Sequence, residues 1–113
     1  MQEKLVQYVN GRGSRKNQRE GVLLGCKHVD GDGANIVIIT GSHVNIQRGD
    51  RYDPQTAMRI AEGRQAKAFG SGKNEIASSM RKDLAHFSDR CRRYFKGCSI
   101  ILPTLAVSQD EQD

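Results

Sequence analysis

Tryptophan is missing from these 113 residues, and aromatic side chains make up only 5% of them. A core must therefore be assembled from short aliphatic runs and a few Phe and Tyr residues. A chain of this length is the size of one domain and buries roughly 60–70% of the surface its unfolded form exposes, so a core is attainable without metal or disulfide support. A second copy of the chain would relieve the shortage of buried surface, and a homo-oligomer is the expectation. Cysteine is also sparse. Cys26, Cys91 and Cys98 are odd in number and form no CxxC pair, which excludes a disulfide framework and a zinc site and suits a reducing cytosol. No apolar stretch approaches the ~20 residues of a membrane span. The opening Met1-Gln2-Glu3-Lys4 runs into a strand-like segment without the apolar centre of a signal peptide, so a cytoplasmic protein is expected.

Complete catalytic motifs are lacking as well. Gly70-Ser71-Gly72-Lys73 has no upstream glycine at phosphate-loop spacing and is followed by Asn74, where that motif needs Ser or Thr. Asp30-Gly31-Asp32-Gly33 has neither the later ligands nor the closing glutamate of a calcium loop. His28, His43 and His86 pair with no cysteine at metal spacing, and no paired carboxylates stand out for acid–base chemistry. Cys26 with His43, or Cys91 with His86, are formal nucleophile pairs, but Cys91 falls on an apolar helical stripe and reads as a packing residue. The expectation is a binding protein with no cofactor and no enzymatic activity.

What the chain does have is positive charge. The formal net charge is +5, and setting aside Asp110, Glu111 and Asp113 in the acidic final residues 108–113 leaves +8 on the body. Such a balance favours phosphate-bearing or acidic partners, although charge speaks to solubility and association more directly than to identity. One domain over residues 1–107 followed by a disordered acidic tail over 108–113 is the expected organisation.

Leu5 to Val9 is rich in β-formers and reads as a first strand. Gly11 to Arg19 is a polar, basic loop. Gly21 to Lys27 and Asn35 to Thr40 are further strands, and Asp30-Gly31-Asp32-Gly33 supplies the turn that makes them a hairpin. The unbroken Ile36-Val37-Ile38-Ile39 run calls for cover on both faces. A further extended piece at Val44 and Ile46 is compatible with their alternation. Asp53-Pro54 caps and opens a helix that runs to about Ala68. Asn74 is placed to cap a second helix, along which Ile76, Met80, Leu84, Phe87, Cys91 and Tyr94 recur at steps of three and four until Gly97. Ser99 to Leu102 completes the set as a short edge strand before Pro103. The fold class is α+β: a small antiparallel sheet of four or five strands with two helices packed on one face.

Three basic clusters carry the functional reading. On the first helix Arg59, Gly63 and Lys67 share a face and Arg64 lies beside them, with Arg51 in the preceding turn. Arginine suits phosphate because its planar fork donates paired hydrogen bonds. The same residues serve equally as a solvated helix face. Gly63 costs a helix about 1 kcal/mol relative to alanine, so either something approaches the backbone there or the helix ends early. Arg12, Arg15, Lys16 and Arg19 have the composition of an arm that contacts nucleic acid, or of an ordinary solvated loop. The second helix carries Arg81, Lys82, Arg90, Arg92, Arg93 and Lys96, part of which complements the helix dipole. Tyr8 alone on the first strand makes no base-stacking platform.

Asp50-Arg51-Tyr52-Asp53, then Arg59-Ile60-Ala61-Glu62-Gly63-Arg64, then Phe87 to Lys96 with its Arg90-Cys91-Arg92-Arg93-Tyr94-Phe95 centre, resemble small phage- and prophage-encoded accessory proteins over residues 18–100. That resemblance implies a protein acting on host machinery or host defence, either by sequestering nucleotide signals or by blocking nuclease complexes. Two partners follow as expectations: nucleic acid or a phosphorylated nucleotide held by Arg51, Arg59, Arg64, Lys67, Arg12, Arg15, Lys16 and Arg19, or an acidic patch on a host protein complex.

Overall fold

The computed structural model describes residues 3–11, 13–44 and 51–106. Its centre is the expected hairpin, β2 (Arg19–Val29) against β3 (Asn35–His43), in unbroken antiparallel register from Gly21↔His43 to Val29↔Asn35. Asp30 Oδ1 accepts the backbone N–H groups of Asp32 and Ala34 at 2.9 Å each, which closes the connecting turn. β1 (Lys4–Asn10) adds antiparallel to the outer side of β2, with a register shift at Val9/Asn10. The other side of β3 is taken by a short strand, Ser99–Ile101, which runs parallel to it.

Between these lie the helices. α1 (Pro54–Ser71) starts on Asp53, whose carboxylate accepts the Thr56 N–H at 3.3 Å, with Pro54 at the first position, and it ends on Gly72 at φ 76. It runs about one turn past the expected end near Ala68, because Gly72 supplies the left-handed cap. Two strands of three residues each, β4 (Glu75–Ala77) and Thr104–Ala106, then pair in parallel as a small separate sheet. α2 (Arg81–Tyr94) follows β4 after a 3-10 turn at Ser78–Met80. In chain order Ser99–Ile101 is β5 and Thr104–Ala106 is β6, and the main sheet has the order β1-β2-β3-β5.

The α+β class and the four-stranded sheet are as expected, with two corrections to the finer arrangement. The sheet is antiparallel except for β5, and the helices pack on opposite faces. Val22, Leu24 and Cys26 of β2 form one cluster with Ala57 and Ala61 of α1. Leu23 of β2 and Val37 and Ile39 of β3 form the other with Leu84, Phe87 and Cys91 of α2. Both central strands are apolar on successive residues, so burying only one side would leave a row of Val, Leu and Ile in water. The cover on both faces anticipated for β3 is thus supplied by one helix on each side.

A third correction concerns Asn74. It does not cap a helix: its Nδ2 donates to Ile39 O at 2.7 Å, and Ile76 is buried in β4 beside the core. The apolar periodicity from Ile76 onward belongs to a strand and a 3-10 turn before it belongs to α2, which has Met80 at its N-cap and no side-chain cap bond. The extended piece at Val44 and Ile46 falls mostly outside the described residues, as does the acidic tail.

α1 sits close to the sheet because its inward side is small. Ala57, Ala61, Gln65 and Ala68 are its buried residues, whereas Ile60 is 41% exposed. Gln65 takes the inward position one turn beyond Ala61. Its Nε2 lies within hydrogen-bonding reach of Ile38 O at 2.6 Å, Thr40 Oγ1 at 3.0 Å and Leu24 O at 3.2 Å, and Thr40 Oγ1 donates to Ala61 O at 2.8 Å. The buried amide therefore has partners on both central strands, which offsets the cost of taking it out of water.

Candidate anion-binding groove

The later half of α1, the turn after it and the β4–β6 pair enclose an open groove of about 600 Å³ lined by Arg64, Lys67, Lys73, Asn74, Glu75 and Thr104. Each side chain is placed by a local reason. Arg64 lies on the β3 side of α1, and its Nη1 donates to the Gly41 carbonyl, so the guanidinium is tethered at the groove wall. Lys67 follows one turn later. Lys73 comes just after the helix cap, where Ser71 Oγ donates to Lys67 O at 2.8 Å and accepts the Lys73 N–H at 3.3 Å. Thr104 is fixed by its own N–H, which donates to Asn74 O at 2.8 Å.

The charge in this groove is unbalanced. Arg64, Lys67 and Lys73 face Glu75 as the single lining carboxylate. Among the described residues Arg15–Glu20, Lys27–Glu3, Arg92–Asp89 and, when the imidazole is protonated, His43–Glu20 form ion pairs, and none of these neutralises the groove cations. The C-terminal end of α1 contributes about half a unit of negative charge nearby, too little to cancel them. A smaller hollow of about 210 Å³ adjoins this groove through Arg64 and Glu75, and Ser42 and His43 line its far side.

The expected anion site is divided by the fold. Arg64 and Lys67 come together, joined by Lys73, which the sequence reading assigned only to a broken phosphate-loop motif. Arg59 is elsewhere, in a separate hollow with Tyr8, Pro54, Met58 and Glu62. Arg51 is exposed in the turn before α1. In the basic loop, the Arg15 Nε binds Glu20 at 2.7 Å, and that carboxylate is only 4% exposed, so Arg15 compensates a buried charge. The Arg19 guanidinium lies 4.1 Å from the Tyr8 ring centroid, a cation–π contact. Lys16 is exposed and makes a backbone turn contact to Gly13 O. Arg12 lies outside the described residues.

Two buried groups escaped the sequence reading, Gln65 and Glu20. The signal for Gln65 was its four-residue step from Ala61. Glu20 carried no signal beyond a lone acid at the end of a basic run.

Two of the three thiols, Cys26 and Cys91, are buried and offer little chemistry at neutral pH. Burial pushes Cys26 and Cys91 up from the ordinary 9.0 to about 11, which keeps both protonated. Among the described residues no three His, Cys, Asp or Glu side chains are grouped to hold a metal ion, and no helix is long and apolar enough to cross a membrane. No protein-family model, curated protein or solved structure matches the chain.

Proposed function

We propose that the chain is a binding protein for phosphate-bearing ligands, nucleic acid or a phosphorylated nucleotide, and that Arg64, Lys67 and Lys73 hold the phosphates. The observation that carries this reading is the groove with its three cations, tethered on one wall and left without ion-pair partners among the described residues. Arg64 supplies the planar donor and the two lysines supply point charge, a combination suited to successive phosphates on one backbone. No aromatic ring lines the groove, so contacts there are to phosphate and sugar and carry little sequence preference.

The test is fluorescence anisotropy with labelled RNA, single- and double-stranded DNA and cyclic nucleotides over a range of salt. Three phosphate contacts on a single strand give a log–log salt slope of about −2, and removing each lysine reduces its magnitude by about 0.7. Lys67→Glu with Lys73→Glu abolishes binding at micromolar protein. Absence of salt-sensitive binding to every ligand, or binding indifferent to that double variant, overturns the assignment.

A further inference from the structure

Among the described residues the edge strand β1 pairs only with β2, so alternate N–H and C=O groups along its outer side have no strand beside them. The opposite edge is blunted: β5 has three residues and is followed two residues later by buried Pro103. β1 has seven residues and no proline, and its protection sits at its two ends, Lys4 at one and the register shift at Val9/Asn10 at the other, which leaves the stretch from Leu5 to Tyr8 unguarded.

A hollow flanks this edge on each side of the sheet. On the α1 side, Tyr8, Pro54, Met58 and Arg59 line one of about 570 Å³. On the α2 side, Leu5, Arg90, Arg93 and Tyr94 line another of about 300 Å³. Tyr8 and Tyr94 are 41% and 56% exposed, a large apolar surface for a chain so poor in aromatics. Side chains of a strand alternate between faces, so an added strand would drop successive residues into the two hollows in turn. Main-chain pairing supplies affinity in this mode of recognition, and the alternating pockets supply specificity.

The charge selects the occupant. Arg59 lines one hollow and Arg90 and Arg93 the other, with Glu62 the lone carboxylate lining either. Arg90 is held toward the strand by its 2.7 Å bond to Gln7 Oε1. A second copy of the chain would bring Lys4 and the same arginines against themselves. An acidic strand from another protein meets opposite charge on both faces. We propose that β1 is a docking edge for an extended acidic peptide segment, with Asp or Glu interspersed among apolar residues, which adds to the sheet as a further strand. This surface lies at the far side of the sheet from the Arg64 groove and does not rest on its phosphate reading.

Panning a displayed library of random peptides of about eight residues against the full chain tests this. The expected enrichment is of sequences that alternate apolar residues with Asp or Glu. Synthetic versions N-methylated at every second amide lose binding by about tenfold or more in one phase and tolerate it in the other, because only one set of amides faces β1. Arg59→Glu with Arg93→Glu weakens the unmodified peptide by about tenfold, a loss of about 1.4 kcal/mol, while Lys67→Glu with Lys73→Glu leaves it unchanged. Enrichment without an acidic consensus, or equal loss in both methylation phases, overturns the proposal. So does sedimentation showing a dimer that an enriched peptide cannot dissociate, which would make a second copy the occupant.

Discussion

Gly63 sits in the middle of α1, and a methyl group built there meets nothing within 4 Å. The sequence suggested a close approach or an early helix end at this point; the helix continues to Ser71, and no other part of the described chain comes near Gly63. Gly63→Ala is therefore expected to stabilise the fold by about 0.5–1 kcal/mol, through helix propensity and a less mobile unfolded chain. Gly25 is the contrasting case. A methyl group there would lie 2.9 Å from Cys91 Sγ and 3.6 Å from Phe87, where α2 presses on β2. Gly25→Ala should destabilise by about 1–3 kcal/mol, as overpacking of a dense core does. Thermal melts of the two variants should move in opposite directions. The sequence presents these glycines alike, and only the docking of each helix separates them. The same holds for Arg15, whose partner Glu20 is defined by the fold and not by the composition of the loop.

At the level of elements, local chemistry was legible where a cap or a turn writes itself into the sequence. Asp53-Pro54 opened α1 as expected, and the turn at Asp30 to Gly33 joined the right strands. Where two elements share one period the reading failed. Ile76 and Met80 continue the apolar steps of α2 backward, yet parallel pairing of β4 with β6 outweighs that local pattern. The placement of helices on opposite faces was hidden because the inward side of α1 is small and polar, Ala57, Ala61, Gln65 and Ala68, not a stripe of large apolar residues. The cap at Asp53 gives this element a pH signature. The hydrogen bond from the Thr56 side chain, followed by the backbone N–H groups of Thr56 and Gln55 and the charge of Arg59, holds its carboxyl below the ordinary 3.8. A carboxyl lowered in the folded state contributes stability above its unfolded value and loses it as pH falls through the folded one. Asp53→Ala should lower the thermal midpoint at pH 7, and its deficit should shrink progressively below pH 3.8. A deficit independent of pH would remove the carboxylate from the capping role.

On the scale of the whole molecule, the net charge of +5 becomes two separate cationic surfaces. Composition pointed only to an excess of positive charge, and the spacing of Arg64 and Lys67 located part of one surface. Lys73 joined them only through the turn after α1, and Arg59 left them because the earlier half of that helix lies beside β1. That division has a consequence for binding. The Arg64 groove lies between the end of α1, β4 and β6, whereas the edge that has no further strand among the described residues is β1, with β2 and β3 between. Ligands at the two surfaces should therefore not exclude one another. A saturating acidic β1 peptide should leave the groove able to bind RNA, with affinity altered by less than about threefold at physiological salt, where charges beyond about 8 Å are largely screened. Anisotropy of labelled RNA titrated with the chain, with and without the peptide, measures this directly. Full displacement of the RNA by the peptide would mean that the two cationic surfaces act as one site, and that Arg59, Arg90 and Arg93 belong to the track that holds the phosphates.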